Sequence, residues 1–560
     1  MTKSYIIIYE GSELAFINSL KENNIDAYVI LNNTEAVIYV PIDWDERKLS
    51  EISEIATWEE STPMSSLIQI TNNLQEGVSP TTAAGTDYIY NNPYIISSGK
   101  GVIIAIIDSG IDYLHPDFIN EDGTTKIISI WDQNGERSKE ENYPLGHEIT
   151  REEINKAIQE NDPSLTQDNV GTGTIAAGIC SGRGNLNSLY RGVAIDSELT
   201  VVKLKEYNDT YMKNKINYQS GDFLAAIKYV IDVSRKEGKF LVINLTIGDM
   251  STATLDITIM DSFNYLENPG VIIVSGAGNE GNTDIHYEGI IRDPSNAEDI
   301  LIQVGEQHAL DIVLSGNGMD KIGLQLISPA GELSHRVNYK PEYYPYEGKF
   351  NIENTSYKIV YSYPWLQSGN EYTQIYIRDI KPGIWILRLL PEFIIGGEYD
   401  IYLPNKNLMS EDTRFLDPNS FSTITLYATT ENMITIGAYD EKTNSMWIGS
   451  SKGPIKRQRI KPDIAAPGVD IIGPFINKSY NTATGTGVSS SIVCGVLAIL
   501  LDYISNQKKG NKNRLYTRIL KTYLMLGTTK QPIYTYPNVS QGYGILNLQE
   551  TIRQIANIIE

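Results

Sequence analysis

Cysteine is scarce in this chain: Cys180 and Cys494 are the only two among 560 residues, each in small, apolar surroundings of helical spacing. A thiol in such a setting packs as a small hydrophobe, so free buried thiols are expected rather than a disulfide framework. Histidine is scarce too, with five residues: His115, His147, His286, His308 and His335. No Cys/His set has zinc spacing and no EF-hand loop occurs, so no metal or other cofactor is expected. Basic residues are in deficit, 46 against 69 acidic, for a formal charge of −23. That balance repels phosphate backbones and anionic membrane surfaces and argues against a nucleic-acid partner. No stretch approaches the roughly 18 uninterrupted apolar residues of a membrane span. The opening residues, MTKSYIIIYEGSE, lack a basic segment followed by a long apolar one, so no secretory signal is expected.

What is present divides the chain by texture. A length of 560 residues exceeds one ordinary core, and 41% hydrophobic residues suits a globular protein. Residues 1–68 read as β-α-β-β-α-β: YIIIYEG, a helix with Leu14, Ile17 and Leu20 on one face, AYVIL and AVIYV around an Asn-Asn turn, a charged helix from Asp45, and SSLIQIT. That order is ferredoxin-like. Residues 69–295 change to near-continuous Val/Ile strands separated by amphipathic helices: GVIIAIID, ELTVVKL, DFLAAIKYVIDVSRKEG, LVINLTIG and GVIIVSG. Such strands imply a parallel sheet covered on both faces, an α/β architecture. Residues 296–413 turn to short alternating strands between Pro/Gly/Asn turns, an all-β insert read as a sandwich or jelly roll, and 414–560 resume the α/β texture.

Asp108 ends the strand GVIIAIID, where open α/β sheets place their sites. Asp108-Ser-Gly with His115-Pro116 is followed by GVAIDSELTVVKL, VINLTIG, VSGAGNEG, KPDIAAPGVDI and GYGILNL. Six motifs in this order resemble the subtilisin-like serine proteases over about 85–295 and 414–560. A β insert after GNEG is similar to the clostridial Csp spore-germination group, nearest its CspC-type pseudoproteases. The resemblance implies a subtilisin-like α/β fold, with a propeptide-like domain at 1–68 that serves as folding chaperone and inhibitor.

Such enzymes need a base to take the serine proton, an acid to orient it and donors for the oxyanion. By resemblance Asp108 is the acid and Asn279, in AGNEG, an oxyanion donor. Two positions depart from the pattern. The family's His-Gly-Thr-His-Val-Ala-Gly reads Thr172-Gly-Thr-Ile-Ala-Ala-Gly178, so Thr172 replaces the base, and a threonine hydroxyl titrates too high to serve as one. Gly487, in Gly485-Thr-Gly487-Val-Ser489, replaces the serine. Ser489, Ser490 and Ser491 follow, but at about 100° per residue Ser489 points roughly 200° away from position 487. His115 belongs to the family's HPD turn and is not its base. A deliberately inactivated enzyme would carry one alanine; Thr and Gly at two sites indicate natural divergence. With both partners gone, a loss on the order of 10⁶ in turnover is expected.

Two glycine patterns are set aside. Gly276-Ala-Gly278-Asn-Glu-Gly281 and Gly171-Thr-Gly173 lack the strand-to-helix context of a dinucleotide site.

Several expectations follow. Residues 1–68 remain attached and occupy the former substrate cleft, a self-made fragment near residue 69 being the contrary outcome. Asp108 accepts a hydrogen bond, with Thr172 as donor, because an unpaired buried carboxylate is costly. The resemblance further implies a spore protein that regulates a partner germination protease, perceiving a small-molecule germinant such as a bile salt. The alternatives are an active endopeptidase with a relocated nucleophile and a structural or folding partner of the spore without a sensing role.

Overall fold

The computed structural model describes the chain except residues 1, 137–142, 251–267, 340–344, 363–370, 456–459, 507–514 and 560. Its centre is a nine-stranded sheet whose middle strands run in the order Ile434–Asp440, Val271–Gly276, Phe240–Leu245, Val102–Asp108, Glu198–Lys203 and Ile127–Asp132. All of these neighbours are parallel, with short antiparallel strands at the two ends. The strand Val102–Asp108 is apolar at every position before its aspartate because both sheet faces are covered. Ile104 and Ile106 face helices Thr172–Ser181 and Thr486–Ser505, while Ile103, Ala105 and Ile107 face helix Ser220–Glu237. The architecture is α/β, a mostly parallel sheet with helices on both faces, as expected.

Helix Thr486–Ser505 is long and apolar enough to cross a membrane, yet 94% of its apolar window is buried within the chain. Its serines and glycines interrupt the apolar run in sequence. Cys180 and Cys494, one on each of the two buried helices, are free thiols.

The N-terminal unit forms a four-stranded antiparallel sheet from β1 (Thr2–Tyr9), β2 (Ala27–Ile30), β3 (Glu35–Pro41) and β4 (Ile55–Glu60), ordered β2-β3-β1-β4. Both faces of this sheet are also covered. Tyr5, Ile7 and Tyr9 meet Phe16 and Leu20 of its own helix, whereas Ile6, Val37 and Tyr39 join the core around helix Ser220–Glu237. That is why YIIIY shows no polar alternation. Burial of Ile6 and Val37 contributes roughly 1.5–3 kcal/mol each.

Three expectations need correction here. SSLIQIT is not the last strand of the N-terminal sheet; that strand is β4, whose sequence IATWEE is an edge with little apolar signal. SSLIQIT instead supplies β5 (Pro63–Ser66) and β6 (Gln69–Ile70), which pair with strands of the α/β part. The helix expected from Asp45 is a 3₁₀ helix, Glu46–Glu51, which the Asp45 side chain caps. The insert's paired strands extend beyond 296–413, from His286–Ile290 to Arg414–Phe415. His286–Ile290 is polar and half-exposed, so no apolar pattern announces it. The insert contains one six-stranded and one four-stranded sheet around a shared apolar core.

Candidate active site

Asp108 is the terminal residue of its strand and is fully buried. Burial pushes its carboxyl up to about 6, against hydrogen bonds that favour the ionised form. Thr172 Oγ1 donates to Oδ1 at 2.5 Å and the Ser109 backbone N–H donates to the same oxygen at 2.6 Å. Thr246 Oγ1 donates to Oδ2. The expected hydrogen bond from Thr172 to Asp108 is thus present, and Asp108 is bonded at both carboxylate oxygens. Thr172 opens its helix, whose first turn is capped by the Asp168 carboxylate: Gly171 N donates at 2.7 Å and Thr174 N at 3.0 Å. Gly173 is required there, because a Cβ would lie 2.1 Å from the Gly110 carbonyl oxygen.

Gly487 lies in the first turn of helix Thr486–Ser505, after Gly485, whose φ of 142° suits glycine. Asn279 Oδ1 caps this helix, accepting from Thr486 N at 3.0 Å and from Thr486 Oγ1 at 2.9 Å. A Cβ built on Gly485 would lie 3.0 Å from Asn279 Nδ2 and 2.2 Å from the Leu67 carbonyl oxygen, so only glycine fits between them.

The cleft is filled by the chain's own linker. β5 lies between strands Tyr218–Gln219 and Ile247–Gly248, and β6 pairs with Ser479–Thr484. Between them Leu67 N donates to Thr246 O at 2.7 Å, and Gly487 N donates to Leu67 O at 3.0 Å. A Cβ at Gly487 would sit 2.8 Å from Ile68 Cγ1 and 3.1 Å from the Leu67 carbonyl carbon. The Leu67–Ile68 peptide thus packs directly against position 487, between β5 and β6.

Other candidate groups lie elsewhere. Ser489, Ser490 and Ser491 are buried and donate to Ala466 O, Asn244 Oδ1 and Gly487 O at 3.0, 2.8 and 2.7 Å. His115 Nε2 meets Ser479 O at 2.9 Å, and burial lowers its pKa. His286 pairs with Asp400 and His308 with Asp209 O, both at the insert. Among the described residues no histidine bonds to Asp108, and no group of His, Cys, Asp and Glu is placed to hold a metal ion. Sequence reading missed Thr246 and Asp168. Thr246 stood inside the quoted VINLTIG, but its bond spans 138 residues; Asp168 sits four residues before Thr172 in a polar stretch.

A sequence model of the subtilase family matches residues 99–354 and 405–544. The chain belongs to the subtilase family. Among curated subtilases, the C5a peptidase of Streptococcus pyogenes is 24% identical over 453 residues, 75% of this chain and 37% of that protein. A subtilisin of Bacillus sp. (strain TA39) is 28% identical over 218 residues, 39% of this chain and 42% of that one. The chain thus spans little more than a third of the first of these relatives. Among solved structures, the CspB protease of Clostridium perfringens matches with a TM-score of 0.75 and 26% identity, covering 86% of this chain and 98% of that one. The epidermin leader peptide processing protease of Staphylococcus aureus shares the fold at a TM-score of 0.51 and 16% identity, over 100% of this chain and 99% of that one. This subtilase is accordingly similar to a Csp protease in fold and sequence.

Proposed function

We propose that this subtilase binds without cutting: a pseudoprotease of the Csp group, CspC-like, that regulates spore germination through a partner subtilisin-like protease. The observation that carries the reading is the pairing of Gly487 N with the Leu67 carbonyl, which seats the chain's own linker in the cleft against a residue that has no side chain. Asp108, already bonded by two threonine hydroxyls and a backbone N–H, has no imidazole to orient. Asn279 and the helix N-terminus around Gly487 keep the form of an oxyanion site but serve here to hold the linker and cap the helix.

On this reading residues 1–68 remain covalently attached. The N-terminal sheet shares its core with helix Ser220–Glu237, and the linker adds strand pairing on both sides of the cleft. Regulation then comes from surfaces and ligands rather than turnover, and perception of a germinant such as a bile salt is part of the proposal. A fluorophosphonate probe tests the reading against a relocated nucleophile. No serine of the native protein should label; labelling at Ser489, Ser490 or Ser491 would establish an active enzyme instead.

A further inference from the structure

A second cleft of about 850 Å³ opens where the N-terminal unit, the β insert and the α/β part converge. Its size is that of a small-molecule site. One wall is β4 and the residues that follow it, 56–63; the opposite wall is the six-stranded sheet of the insert; Thr210 and Gln219 come from the α/β part. We propose that this cleft binds a small organic cation, an amine or guanidinium group carried on a planar or apolar body.

The charge of the lining decides the class of ligand. Five carboxylates line the cleft, those of Glu46, Glu59, Glu60, Asp311 and Glu347, against two cations, Lys358 and Arg378. Both cations are already matched inside it, Lys358 to Glu46 at 3.1 Å and Arg378 to Asp311 at 2.5 Å. Glu59 accepts from the Gln374 amide at 3.0 Å. The side chains of Glu60 and Glu347, both exposed on the cleft wall, form no direct hydrogen bond or ion pair among the described residues. Lys3 and Lys358 act on Glu60, and Arg47 on Glu347, through space, and two carboxylates stay available to a ligand. Desolvation, with the nearby Glu46 and Asp311 carboxylates, raises the Glu60 pKa although Lys3 and Lys358 act to lower it.

The apolar surface is aromatic: Tyr5, Trp58, Tyr357, Tyr361 and Tyr376. Two of these rings already carry a cation of the chain. Lys3 Nζ lies 5.3 Å from the Tyr5 centroid, and Arg378 Cζ lies 5.6 Å from that of Tyr376. Rings and carboxylates arranged together favour a cation on both counts. The same lining opposes an anionic ligand, so a bile salt is the wrong charge for this cleft.

Position gives the site its consequence. Lys358–Glu46 and Gln374–Glu59 bridge the insert to the N-terminal unit across the cleft. A ligand seated between them strengthens that bridge and fixes the N-terminal sheet against the insert, at a distance from Gly487. The proposal does not depend on whether the chain cleaves peptides.

Calorimetric titration of the full chain with phenylguanidine, and with neutral phenylurea of the same shape, tests it. Saturable one-site binding of phenylguanidine is expected, with phenylurea weaker by tenfold or more. Glu60→Gln should weaken phenylguanidine at least tenfold while leaving the unliganded melting temperature unchanged, and Glu347→Gln should weaken it to a lesser degree. Absence of phenylguanidine binding, equal binding of phenylurea, or native affinity in both variants would overturn the assignment.

Discussion

The cleft at Gly487 and the cleft at Glu60 are built from adjoining stretches of one segment, residues 56–70, and they are filled in opposite ways. At Gly487 the segment enters the cleft and satisfies its backbone donors, Gly487 N taking the Leu67 carbonyl at 3.0 Å. At Glu60 the same segment forms only one wall, and about 850 Å³ stays open. The first cleft is closed by backbone hydrogen bonds from the chain's own linker, and on the reading proposed above it does no chemistry. The second presents carboxylates and aromatic rings to an open space, although Lys358–Glu46, Arg378–Asp311 and Gln374–Glu59 pair part of its lining. On that reading a fold can retire one site while an adjacent surface remains suited to binding.

Four substitutions probe that contrast, in descending order of effect. Val37→Asp sets an unpaired carboxylate between the N-terminal sheet and helix Ser220–Glu237, where Val37 is fully buried. A loss of about 3–5 kcal/mol is expected in urea unfolding, with both clefts losing their common wall. A native-like midpoint would show that the N-terminal unit is not part of the cooperative fold.

Thr172→Val removes a donor to Asp108 and should cost about 1.5–3 kcal/mol at pH 7 to 8. The sign with pH follows from burial. Because the Asp108 pKa is raised from 3.8 to about 6, its ionised form opposes folding, and native stability falls as pH climbs through that window. Loss of the Thr172 bond raises the pKa further, so the variant's deficit should be largest above pH 7 and smallest below pH 4. An equal deficit at both ends would mean that the bond does not serve a carboxylate.

Gly487→Ala places a methyl 2.8 Å from Ile68 Cγ1 and 3.0 Å from the Leu67 carbonyl oxygen. About 1–3 kcal/mol of overpacking is expected, with faster proteolysis of the displaced linker as the specific sign. Glu46→Gln breaks the partly exposed pair with Lys358 and should cost at most about 1 kcal/mol, vanishing in high salt.

How legible these features were depended on how locally they were encoded. The parallel strands were plain because burial on both faces writes near-continuous Val/Ile runs, as in Val102–Asp108. The helix caps were equally local, with Gly238 ending Ser220–Glu237 at a φ of 64°. β4 was missed because an edge strand with half-exposed side chains needs little apolar pattern, and SSLIQIT was misplaced because its pairing partners lie at 218–219, 247–248 and 483–484. Thr172 and Gly487 were singled out from motif positions alone, and the structure sets Thr172 against Asp108 and Gly487 against Leu67. Thr246 on Asp108 and Leu67 on Gly487 were not, since each contact joins residues more than 130 apart. The second cleft has no motif at all; it exists only where three parts of the chain meet.

Intact-mass spectrometry of the purified native chain, incubated alone, bears most directly on the central claim. The account predicts one species of 62.5 kDa with residues 1–68 attached. A fragment that the protein generates by itself, with Ile68 as its new N-terminus, would contradict it.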